Sequence, residues 1–159
     1  SHIRMEELPY TEEYSFETLL PPIAYFFPDT PVLPILIGDK GPQSVDALTR
    51  VLELLFEENN GLESAILISS NVTGEVDVKN SESQSRLFRE LLEKRPSQTE
   101  ELIRCARAGK ISACAAAAVA AVNAYYGPEK IQPLLLDSSR KGEQKHEVVY
   151  GTFEYHLPE

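Results

Sequence analysis

The sequence predicts an α/β fold, a three-layer α/β/α sandwich around a mostly parallel mixed sheet. Short, almost unbroken apolar runs at 31–38 (PVLPILIG), 63–70 (ESAILISS) and 131–137 (IQPLLLD) end in Gly, Ser or Asp, as strands covered on both faces do. Stretches with apolar residues at helical spacing lie between them, and this alternation is the signature of a sheet wrapped by helices. A chain of 159 residues, 42% of them apolar, holds one sizeable core rather than two.

In chain order, SHIRM lacks the basic start and apolar middle of a signal peptide and reads as a vector-derived scar, so residues 1–11 are taken as a tag-like or flexible start. Residues 12–159 are taken as one domain. The first strand is 31–38. Behind Pro42, a good first-turn residue, Val45, Leu48, Val51, Leu52, Leu55 and Phe56 form the apolar face of a helix. The second strand is 63–70. Ser81 with Gln84, and Ser97 with Glu100, have capping-box spacing, which predicts helices near 81–95 and 97–108.

The run ISACAAAAVAAVNAYYG predicts a buried helix over 111–125, because alanine is the strongest helix former and lets neighbours approach closely; Gly127 and Pro128 end it. Strand 131–137 follows, then the polar connection DSSRKGEQKHE at 137–147. In 147–157, Val149, Phe153, Tyr155 and Leu157 alternate with more polar positions, as in an edge strand with one wetter face.

Charge and composition exclude several functions. A net charge of −10 repels phosphate backbones and anionic lipid, so nucleic acid is not expected as a partner. Prolines interrupt the longest apolar stretch and no run reaches bilayer-spanning length, so no membrane helix is expected. Cys105 and Cys114 have no CxxC spacing, which argues against a zinc site or a disulfide framework and fits a reducing cytoplasmic setting. His146 and His156 read as surface or strand-edge residues in or beside the last strand, and the pairs Glu12-Glu13, Glu57-Glu58 and Glu100-Glu101 as solvated helix ends. Cys114, at the head of the alanine helix, is either a small packing residue or a thiol placed where free amides favour a thiolate.

The string EEYSFETLLPPIAYFFPDTPVLPILIG resembles the Memo family, also called AmmeMemoRadiSam system protein B, in which a Glu-His-Ser-x-Glu segment leads through a Leu-Pro helix into a Pro-Val-Leu-x-Gly strand. Glu13, Ser15, Glu17, Leu20, Pro21 and the run to Gly38 match. The family's Ser-Ser-Asp-x-Ser-His landmark is similar to SSNVTG at 69–74, and its late-helix Cys-Gly to Cys114-Ala115. The resemblance extends from about residue 12 to 157 and corresponds to the C-terminal half of a Memo protein.

The resemblance implies a fold like that of class III extradiol dioxygenases, which hold non-haem iron, and a pocket lined by Tyr14, Glu17, Asn71 and Cys114. It also exposes departures: Tyr14 stands for the family's His, Asn71 for its Asp and Gly74 for its second His, while Cys114 is kept. Imidazole ligates metals and shuttles protons near neutral pH; an amide does not titrate and glycine has no side chain. The expectation is therefore a degenerate, non-catalytic domain with no metal and no cofactor, binding a protein partner or a small ligand. The alternative is part of a non-haem metal-dependent oxidoreductase whose N-terminal half supplies the metal ligands. A homodimer is expected if the half-fold exposes apolar surface.

Overall fold

Helix α3 (Pro42–Glu57) forms where the spacing predicts it and buries Val45, Leu48 and Leu52. The computed structural model to which it belongs describes residues 13–57, 65–94, 98–127, 130–140 and 142–156. Before α3 come α1 (Tyr14–Glu17), opened by the Glu13 carboxylate accepting from the Ser15 N–H, and α2 (Leu20–Phe26), with proline in its first turn. After α3 follow β1 (Val76–Asp77), α4 (Val78–Glu93), α5 (Thr99–Arg107), α6 (Ala116–Tyr126), β2 (Lys130–Ser138), β3 (His146–Glu147) and β4 (Val149–His156).

The core is built on α6. Its Ala116, Ala117, Ala120 and Ala121 are buried, and α3 and α5 both pack against it. The small side chains allow that double contact, and Phe56 of α3 meets Tyr125 and Tyr126 with ring centroids 6.0 and 5.9 Å apart. Gly127 ends the helix in the left-handed region at φ 52°, as expected of a glycine terminator. On another side of the core, Phe88 of α4 meets Phe153 of β4 edge to face at 6.0 Å.

The molecule is of mixed α/β class, but the described strands pair differently from the parallel sheet expected. β2 and β4 form an antiparallel ladder from Lys130↔His156 to Ser138↔Val149, and β1 and β3 a second one, Val76↔Glu147 and Asp77↔His146. Continuous apolar runs do not specify strand direction, and here they are not covered on both faces either, Leu134 and Leu135 of β2 being 57% and 59% exposed; a polar connection brings β4 back alongside β2, which favours antiparallel pairing. The β2–β4 register slips by one residue between Pro133 and Leu135, where proline supplies no N–H to the ladder.

Segments 31–38 and 65–70 form no ladder. Pro31 and Pro34 remove two donors from the first; residues 63–64 of the second run lie outside the described residues.

The helix expected near 81–95 begins earlier, at Val78, capped by Asp77, whose Oδ1 accepts from the Asn80 N–H at 3.1 Å. Ser81 and Gln84 have capping-box spacing but face partners distant in sequence: the Ser81 hydroxyl donates to the buried Glu147 carboxylate, and Gln84 Oε1 accepts from Ser112 Oγ at 2.6 Å. The second expected capping box rests on Ser97, outside the described residues; α5 starts at Thr99 after Gln98. The alanine helix starts at Ala116, five residues later than expected, because 112–115 are engaged with the 70–74 loop.

Neither α1 nor α2 has a buried residue, and Tyr25 and Phe26 are 79% and 68% exposed. Among the described residues no helix is long and apolar enough to cross a membrane.

Candidate functional site

Helix α6 starts without a capping side chain of its own. The turn that leads into it is held by the segment that follows 65–69. Asn71 Oδ1 accepts from the Cys114 N–H at 2.9 Å, and Ser70 Oγ accepts from the Ala115 N–H at 3.0 Å. The Ser70 hydroxyl hydrogen goes to the Asn71 carbonyl oxygen at 2.7 Å, so in the contact between Cys114 Sγ and Ser70 Oγ at 3.5 Å the thiol is the donor. Gly74 extends the junction, its N–H donating to Ser112 Oγ at 2.7 Å. Cys114 itself is exposed.

Of the four residues expected to line a pocket, the structure joins Asn71 and Cys114. Tyr14 and Glu17 lie on α1, exposed, and none of their described hydrogen bonds reaches the other two. Ser70 is the participant that the sequence did not single out: a serine within the SSNVTG stretch carries no mark of accepting from a backbone amide 45 residues away.

The thiol's neighbours are a hydroxyl and an amide oxygen, each already engaged with backbone. Such a donor set does not fit the non-haem ion that the resemblance implies, since iron, copper and zinc sites draw on several imidazole, thiolate or carboxylate groups. Among the described residues no group of three or more His, Cys, Asp or Glu is placed to hold a metal ion. Cys105, the other free thiol, is buried on α5; that burial, and then the Glu101 carboxylate at 3.4 Å, push it up from the ordinary thiol range.

Behind Ser70 and Asn71 lies a groove of about 490 Å³. Consecutive residues of 65–68 front it on one side and Gly151, Thr152 and Phe153 of β4 on another, so both segments present backbone to it. Helix α4 contributes Phe88 and Leu92; Val119, Val122 and Tyr126 come from one face of α6. No charged side chain lines the groove among the described residues. Tyr155, on its β4 side, is buried enough that its hydroxyl is pushed up to about 12.

No protein-family model, curated protein or solved structure matches the chain.

Proposed function

We propose that this chain is a degenerate Memo-like domain, related in fold to class III extradiol dioxygenases, that binds a protein partner or a small ligand without turning it over. One observation carries the reading: at the position resembling the family's cysteine, the thiol is flanked by Ser70 and Asn71, whose side-chain oxygens accept from the Ala115 and Cys114 backbone amides just before α6. A general acid or base must titrate near the working pH, and neither neighbour does. The neutral groove that opens at the same two residues supports binding as the remaining task.

The three-layer arrangement belongs to the same proposal, supported by α4 and α6 both lining the groove beside β4. Two free cysteines agree with a reducing, cytoplasmic setting. On the partner side, the exposed Tyr25, Phe26 and Leu33 support either a protein partner or a homodimer; light scattering over a concentration series separates a self-associating chain from a monomer awaiting another protein. The net charge of −10 disfavours nucleic acid.

Elemental analysis of the purified chain and of Cys114→Ala tests the non-catalytic reading. Neither should carry stoichiometric iron, copper or zinc. A stoichiometric metal that disappears in the alanine variant would overturn it and favour the metal-dependent oxidoreductase.

A further inference from the structure

We infer that the groove between segment 65–72 and β4 is a binding site for a flat, uncharged, largely apolar molecule with a hydrogen-bonding group on its edge. This rests on the binding-module reading and names the class of molecule bound. Its volume of about 490 Å³ falls within the roughly 300–1,000 Å³ of ordinary small-molecule sites. Its walls carry no charge, in a chain whose net charge is −10, so an anion would be repelled by the whole protein and meet no cation in the groove.

Flatness follows from the rings in its lining: Tyr126 and Phe153, each half-buried, offer ring faces to a planar molecule, whereas Phe88 belongs to the core.

The hydrogen-bonding edge follows from the backbone. β4 has β2 as its only ladder partner, and 65–69 form no backbone hydrogen bond, among the described residues. Unpaired backbone groups in a half-buried groove favour a partner that supplies donors or acceptors in their own plane. Ser70 and Asn71 form the polar end, next to the exposed Cys114.

The probe is 1-aminoanthracene, which is planar, neutral and fluorescent, titrated into the full chain. Saturable binding of one probe per chain with a blue-shifted emission is expected. Ile68→Phe and Val122→Phe, which fill the groove from opposite sides, should each weaken it at least tenfold while circular dichroism shows an intact fold. Leu54→Gln, exposed on α3 away from the groove, should leave it unchanged, and anthracene-9-carboxylate should bind at least tenfold more weakly. Non-saturable binding, loss of binding in Leu54→Gln, or indifference to both filling variants would overturn the site. Equal binding of the carboxylate would overturn the neutral ligand class. Protection of the Ile66 and Ile68 amides from hydrogen exchange, without probe binding, would show that 65–70 closes onto β4 instead. A metal-free chain that fails to bind the probe removes this inference alone, whereas a metal-loaded Cys114 removes the non-catalytic reading whatever the probe does.

Discussion

Asn71 Oδ1 accepts a hydrogen bond from the backbone N–H of Cys114 at 2.9 Å, across 43 positions of sequence. The contact holds the turn that leads into α6, a helix with no capping side chain of its own. Asn71→Ala should therefore cost about 1 kcal/mol, the usual net loss of one intramolecular hydrogen bond, and lower the denaturant midpoint with an unchanged slope. Asn71→Asp keeps an oxygen acceptor and adds a negative charge at a helix start, so it should be as stable as the parent or slightly more. A fall equal to that of the alanine variant would mean that the hydrogen bond contributes nothing.

The two thiols should separate cleanly in reaction with a disulfide reagent. Cys114 is exposed, whereas Cys105 is buried and held up by that burial and by Glu101. One equivalent should react quickly in the native chain and the second only on unfolding. Cys114→Ala should abolish the fast phase and shift stability by less than about 0.5 kcal/mol, since it changes an exposed side chain in an alanine-rich segment. A fast phase that survives the substitution would contradict this assignment.

Acid should loosen the start of α4. The Asp77 carboxylate accepts from the backbone N–H of Asn80, which is the main cause holding it below the ordinary aspartate value. A depressed folded-state value means that the contribution is fully present above the unfolded value, about 3.9, and is lost as pH falls through the lower folded one. Glu13, lowered first by the Ser15 side chain, and Glu101, lowered first by Arg104, act in the same direction. Melting temperature should fall as pH drops below about 4, and less steeply in Asp77→Asn, which still caps but does not titrate. Identical pH profiles for the two chains would rule out Asp77 as a contributor.

Ser81 and Glu147 should behave as a unit. Glu147 is only 6% exposed and Ser81 fully buried, and the serine hydroxyl donates to the carboxylate, tying α4 to β3. Ser81→Ala leaves a buried acceptor without that donor and should cost about 1–3 kcal/mol. Adding Glu147→Gln should recover part of the loss, because a neutral amide is less costly to bury than a carboxylate. A double variant whose loss is the sum of the two single losses would show that the pair is not coupled.

The apolar spacing of α3 and the alanines of α6 were legible because burial on one helical face, or close approach all round, is written into neighbouring residues. The capping-box spacing of Ser81 and Gln84 misled for the converse reason. A side chain able to cap its own helix can equally serve a distant partner, and Glu147 and Ser112 are the partners found. Asn71 and Cys114, which the resemblance set side by side, are joined by a hydrogen bond, whereas the part that Ser70 plays depends on a backbone amide 45 residues away, which no local pattern specifies.

By itself the sequence determined the amphipathic helix behind Pro42, the alanine-rich helix ended by Gly127 and which runs are apolar, all properties carried by side-chain chemistry and local spacing. Only the tertiary structure decided that β2 pairs antiparallel with β4, that 31–38 and 65–70 form no ladder, and that Ser70 and Asn71 hold the turn before α6 beside a groove with no charged lining among the described residues. Strand partners, direction and long-range hydrogen bonds depend on which backbone groups meet in space, and no local pattern specifies that meeting.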